Sequence, residues 1–199
     1  MTKSPFFRGL LRHGRGDDVD VGDSLTYAAT LGDGSALPSW LSFNTSTRTF
    51  TGTPLNANVG EITVKVTVTD GSSATVSDTF TITVANTNDA PTTANAMADQ
   101  SVDEDAAFNF TVPANTFDDV DVGDSLTYAA TLSDGSALPS WLSFNTSTRV
   151  FSGTPLNANV GAITVKVTAT DGSAATVSDT FSITVANTND DPTLANAIA

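Results

Sequence analysis

The sequence predicts an all-β chain made of two tandem antiparallel β-sandwiches, and three observations carry that prediction. Apolar residues alternate with Thr over strand-length runs, as where Ile62, Val64, Val66 and Val68 interleave with Thr63, Lys65, Thr67 and Thr69. Asp-Gly pairs punctuate those runs as turns, at Asp33-Gly34 and Asp70-Gly71 and again at Asp134-Gly135 and Asp171-Gly172. The chain also repeats itself: residues 17–98 match residues 118–199 at an offset of 101, with only ten of 82 positions different. A unit of about 100 residues can build its own core, so the repeat reads as separate domains in series rather than turns of a solenoid.

Taken in order, the first sixteen residues stand apart. They hold Lys3, Arg8, Arg12 and Arg15, half of the eight basic side chains, and no acid. Leu10 and Leu11 are too short an apolar run for the core of a secretion signal. The second unit opens with DQSVDEDAAFNFTVPANTF from Asp99 to Phe117, and the leader fills the place of Val102–Phe117 in the first. It reads as that opening translated in a shifted frame, or as an unrelated N-terminus. The expected layout is therefore a leader outside the repeat (1–16), a first repeat lacking its opening strand (17–90), a complete second repeat (91–191) and the start of a further one (192–199). The missing strand should leave a sheet edge open to pairing or aggregation.

Further strands follow by the same alternation. Leu25, Tyr27, Ala29 and Leu31 form one, Phe80, Ile82 and Val84 another, and Phe108, Phe110 and Val112 the second unit's opening strand. About seven short strands per unit with no 3.6-residue period argues for a sandwich with negligible helix. Trp40 and Trp141 each sit in LPSWLSFN. Such a Trp can anchor a core or stack on a sugar, and the crowding by Leu41 and Phe43 favours the core.

Charge narrows the function classes. The net charge is −14, and without the leader the remaining 183 residues carry −18. Nucleic acid, whose affinity comes from basic residues neutralising phosphates, is a poor partner; a cation or plain solubility is the better reading. With no Cys there is no disulfide, thiolate zinc site or Cys nucleophile. No run approaches 18 apolar residues, so direct membrane insertion by a helix is not expected.

Asp remains. Each unit carries DDVDVGD (Asp17, Asp18, Asp20, Asp23; Asp118, Asp119, Asp121, Asp124), an Asp after a strand in TDG (Asp70, Asp171) and a closing NTND (Asn86, Asn88, Asp89; Asn187, Asn189, Asp190). The intact front adds Asp103, Glu104 and Asp105. Four carboxylates in seven residues repel at about 1 kcal/mol per close pair in water, more at a protein surface. Calcium, which takes six to eight oxygens from carboxylates and amide carbonyls, relieves that repulsion. A solvated acidic loop is the plain alternative, and the spacing is not that of an EF-hand, since no Glu closes it.

The run PSWLSFNTSTRTFTGTPLNANVGEITVKVTVTDG…VSDTFTITVANTNDAP resembles the dystroglycan-type cadherin-like repeat, also described as an immunoglobulin-like domain of bacterial surface proteins. The resemblance covers residues 17–199, with W-L-x-F…F-x-G-T-P as its specific core. It implies immunoglobulin/cadherin-like sandwiches, an extracellular or cell-surface location, adjacent repeats of the same protein as partners, surface glycans or proteins as targets, and Ca2+ as the bound ion. It further implies a calcium junction using Asn88 and Asp89 from the linker, Asp119 and Asp121 from DDVD, and Asp171 from TDG. Glu104 resembles the front glutamate that serves the next junction with Asn189 and Asp190. The paired Asp-Arg-Glu segment of animal cadherins is absent, and the leader replaces the first unit's counterpart of Glu104. Calcium binding at the one complete junction should accordingly be weaker than in a full array.

The leading function is thus a calcium-stiffened spacer or adhesion repeat, and a carbohydrate-binding module is the alternative, with Trp40, Tyr27 and their copies as stacking surfaces. An enzyme is the poorest class. His13, the only histidine, lies in the leader, and paired carboxylates that hydrolyse glycosides need a cleft between them.

Overall fold

A computed structural model of the chain describes residues 9–10 and 24–192, and the chain divides after Thr87 into two compact units. Unit 1 contains β1 (Gly9–Leu10), β2 (Thr26–Leu31), β3 (Leu41–Asn44), β4 (Thr49–Gly52), β5 (Gly60–Thr69) and β6 (Thr75–Val84). Unit 2 contains β7 (Thr92–Thr93), β8 (Gln100–Asp103), β9 (Phe108–Thr111), β10 (Phe117–Asp118), β11 (Thr127–Leu132), β12 (Leu142–Asn145), β13 (Val150–Gly153), β14 (Gly161–Thr170) and β15 (Thr176–Ala186). Among the described residues the only helical pieces are single 3-10 turns at Asn56–Asn58 and Asn157–Asn159. Each unit is the sandwich that the alternation predicts.

In unit 2 one sheet runs β11-β14-β15-β8 and the facing one β12-β13-β9, with β7 and β10 as a short extra pair. The inward residues of both sheets form one core, including Phe108, Leu142, Phe151, Val165, Val167, Phe181 and Ile183. Fully burying one such side chain is worth about 1.5–3 kcal/mol. In unit 1 the sheets are β2-β5-β6 and β1-β4-β3, around Leu41, Phe50, Val64, Val66 and Ile82.

The front of unit 2 is not one strand but two. β8 pairs in parallel with β15, and β9 pairs antiparallel with β13. Between them the chain changes sheets through a turn in which Ala106 N donates to Asp103 O and Asp105 takes φ 58°. Two reciprocal hydrogen bonds clip the incoming segment to β15: Met97 N to Asp179 Oδ2 and Ser182 N to Asp99 Oδ1, both 2.7 Å.

Unit 1 shows what the leader can replace. Gly9 and Leu10 pair with Phe50 and Thr49, the register that Phe110 and Thr111 take against Phe151 and Val150. Main-chain hydrogen bonds do not read side chains, so Gly and Leu serve where unit 2 has Phe110 and Thr111. The rest of the leader, and the expected further repeat beyond Pro192, lie outside the described residues. Among the described residues β6 has no strand on its outer edge. The cost shows in burial: Phe80 and Val84 are half-buried, whereas their copies Phe181 and Val185 are buried.

Trp40 and Trp141 are both half-buried and pack against their cores. The Trp141 ring meets Phe108 edge-on at 6.3 Å between centroids. The Gly of the F-x-G-T-P motif explains itself here, because a Cβ on Gly153 would collide with the Trp141 carbonyl oxygen. The Asp-Gly pairs fall into two kinds. Gly34 and Gly135 take positive φ, 91° and 89°, as a turn requires. In the other pair the left-handed residues are Ser73 and Ala174 instead.

Two outcomes follow from this packing. Gly153→Ala should destabilise unit 2 by roughly 1–3 kcal/mol, the range for overpacking, read from urea unfolding, while Gly135→Ala acts only through its strained φ. The Asp134 carboxyl is held below its ordinary range chiefly by the Ser136 hydroxyl (2.6 Å) and then by the Ser136 N–H (2.8 Å). A depressed folded-state pKa stabilises above the unfolded value near about 3.9, and that contribution is lost as pH falls through the folded value. Ser136→Ala should therefore move the Asp134 titration upward, measurable by carboxyl 13C NMR.

Candidate metal centre

At the end of unit 2 where the chain comes in from Thr87, three elements deliver acidic groups to one place. The first is the end of β14. Asp171 follows Thr170 directly, and its Oδ1 accepts the N–H groups of Ser173 (2.9 Å) and Ala175 (2.7 Å). Its Oδ2 accepts the Asn88 side-chain amide at 2.9 Å. Asp171 is 5% exposed. The Asn88 amide, with help from the two main-chain donors, holds the carboxyl below its usual range against the opposing effect of burial.

The second element is the acidic loop after β10. Asp119 Oδ1 accepts Asp121 N at 3.0 Å, and Asp124 N donates to Asp121 O at 3.2 Å across a turn with Gly123 at φ 89°. The third is the incoming linker, whose Asp89 N donates to Asp121 Oδ2 at 2.8 Å. Carboxylate oxygens of Asp119, Asp124 and Asp171 all lie within 4.8 Å of one another.

Gly172 makes that approach possible. A Cβ there would stand 2.7 Å from Asp124 Oδ1, and its N–H donates weakly to Asp124 Oδ2 at 3.4 Å. This glycine supplies space for a third carboxylate rather than a left-handed turn.

The donor set fits a hard divalent cation. All the converging side-chain groups are carboxylates, with an amide beside them, and these suit calcium rather than a soft metal. Two of the oxygens are buried with no hydrogen-bond partner, Asp119 Oδ2 and Asp121 Oδ1, in a residue pair of which Asp121 is 6% exposed. A buried charged oxygen without a partner costs free energy that a coordinated cation would recover.

Of the residues singled out in the sequence, Asn88, Asp89, Asp119, Asp121 and Asp171 come together here. Asp124 joins them, and only the density of DDVDVGD and the Gly of TDG hinted at it. Glu104, Asn189 and Asp190 lie at the opposite end of unit 2, separated by the ten-residue β14, about 30 Å. There Glu104 is 2% exposed, its Oε1 accepts Thr188 N at 2.7 Å, and its Oε2 is buried without a partner. Asp190 Oδ2 accepts the Asn157 amide at 3.0 Å, and the Asn189 amide donates to Asp190 O at 3.3 Å. In unit 1, Asp70 makes the same turn bonds, to Ser72 N and Ala74 N. Asp17, Asp18, Asp20 and Asp23 lie outside the described residues.

Known proteins resemble this chain at three levels. The family model described as "Putative Ig domain" (He_PIG) matches residues 11–85 and 90–186. The serine-rich adhesin for platelets of Staphylococcus aureus strain USA300 is 33% identical over 147 residues, 74% of this chain but 6% of the adhesin; in strain MRSA252 the share of the adhesin is 10%. Among solved structures, human mucin-like protocadherin EC1-2 superposes with a TM-score of 0.61 at 18% identity, covering 86% of this chain and 87% of that one. Mouse cadherin-23 EC22-24 gives 0.58 at 18% identity, covering 82% and 53%. At that identity the two structures speak for the fold alone.

In a cation-free buffer Asp124→Asn removes one charge from the Asp119–Asp124–Asp171 group. It should stabilise unit 2 by about 1 kcal/mol, seen as a higher melting temperature without added metal.

Proposed function

Because the chain belongs to the "Putative Ig domain" family in both of its units, we propose that it is a calcium-binding spacer or adhesion repeat of a bacterial cell-surface or secreted multidomain protein. The observation that carries this reading is the pair of buried, unpartnered oxygens on Asp119 and Asp121, set beside the carboxylates of Asp124 and Asp171. The likeness to a staphylococcal serine-rich adhesin for platelets supports an extracellular setting. Among the described residues no helix is long and apolar enough to cross a membrane.

Asp119, Asp124 and Asp171 would hold the ion, and Asp121 would turn its free oxygen toward it. Calcium supplies the positive charge that this loop lacks. The protein's own residues do the rest: Asn88 and Asp89 N–H groups donate to Asp171 and Asp121, so an ion that fixes those carboxylates in position also holds the linker bonded to them against the body of unit 2. A fastened linker has fewer orientations, which is what a spacer in an array requires. Glu104, Asn189 and Asp190 are proposed as ligands of a second ion at the opposite end.

Titrating calcium into the full chain tests this. Extracellular modules bind at roughly 10⁻⁴–10⁻³ M, and calcium at a hundred times Kd should stabilise unit 2 by about 2.7 kcal/mol. The variant Asp119→Asn/Asp171→Asn should lose most of that gain. A melting temperature indifferent to calcium in the parent chain would contradict the proposal.

A further inference from the structure

Each unit also sets an arginine over a tyrosine ring, apart from the acidic groups described above. The hairpins joining β3 to β4 and β12 to β13 end in Arg48 and Arg149, both left-handed, with φ 55° and 59°. Glycine or asparagine is the usual occupant of such a position, where a Cβ crowds the neighbouring carbonyl oxygen. The guanidinium then lies over a tyrosine ring, 5.3 Å from the Tyr27 centroid in unit 1 and 5.5 Å from that of Tyr128 in unit 2. A cation over an aromatic face is held in place but not neutralised. Although the chain has 22 acidic residues, neither arginine pairs with a carboxylate among the described residues.

In unit 2 this arginine borders an open cavity of about 460 Å³, lined by Leu126, Thr127, Tyr128, Thr146, Ser147 and Arg149. That volume lies in the lower part of the range for small-ligand sites. The main-chain N–H groups of Ser147 and Thr148 are taken by Asn145 Oδ1. The hydroxyls of Thr146 and Ser147 have no partner among the described residues. The lining therefore offers one fixed guanidinium, two uncommitted hydroxyls and an aliphatic wall at Leu126.

We infer that this cavity is a binding site for a carboxylate-bearing sugar. The planar guanidinium matches a carboxylate through two parallel hydrogen bonds. The hydroxyls of Thr146 and Ser147 exchange hydrogen bonds with ring hydroxyls, and Leu126 covers a C–H face. The uncommon backbone of Arg149 has a function in this account: it presents the fork beside the hydroxyls. Unit 1 carries the same residue types, Tyr27, Thr45, Ser46 and Arg48, with the same Arg-over-Tyr contact.

The test uses the full chain without divalent cation, so that a carboxylate bridging to a metal cannot imitate the effect. Sodium glucuronate, methyl glucoside and sodium phosphate are each titrated against 15N-labelled protein, following the arginine Nε–Hε signals and the Ser147 and Thr148 amides. Glucuronate should shift these signals with a Kd at least tenfold lower than either control. Arg48→Gly/Arg149→Gly, which relaxes both left-handed positions, should weaken glucuronate binding at least tenfold without lowering the melting temperature. Equal response to methyl glucoside or to phosphate would overturn the assignment, as would no response. A fall in melting temperature with unchanged glucuronate binding would show the arginines to be purely structural and would overturn it too.

Discussion

The repulsion among carboxylates at the incoming end of unit 2 is the constraint on which the rest turns. A protein of this charge could spread its acids over the sandwich flanks, where water screens them. Instead Asp119, Asp124 and Asp171 approach within 4.8 Å, and the surrounding backbone spends its donors holding them there. Gly172 gives up a side chain to let Asp124 in. The N–H groups of Ser173 and Ala175 aim Asp171, and Asp121 N aims Asp119. An arrangement built at this cost makes physical sense as a receptor for positive charge.

The sandwich of unit 2 holds these groups on a rigid frame. β14 carries Asp171 at one end and meets the last residues of β15 at the other, so one long strand links the two acidic ends of unit 2. The clip between Met97–Asp99 and β15 fixes where the front crosses from one sheet to the other. That crossing in turn sets Glu104 against Thr188. Local charge chemistry at the ends and packing in the middle are thus parts of one design in unit 2.

Much of this was legible in the residues. The period-two alternation of Ile62–Thr69 and its copy marks the central strands, because a half-buried sheet face leaves no other pattern. The gathering of Asn88, Asp89, Asp119, Asp121 and Asp171 followed from family resemblance and from the chemistry of oxygen ligands. Other features were not legible. The break between β8 and β9 depends on Asp105 adopting a left-handed turn, which Asp does only in context. Asp124 was hidden because the reason for Gly172 lies 48 residues away in the acidic loop. The pairing of Gly9–Leu10 with β4 could not be read from side chains, since main-chain hydrogen bonds make it. Nothing in the sequence sets Arg149 apart, because its left-handed backbone and its place over Tyr128 exist only in the fold.

The most direct measurement is a crystal structure of the full chain grown in calcium, with anomalous differences collected to identify the ion. A calcium peak should appear, coordinated at about 2.3–2.6 Å by oxygens of Asp119, Asp124 and Asp171, with Asp121 turned toward it. Saturating calcium with no peak in that loop, or with an ion bound only on the sandwich flanks, would contradict it.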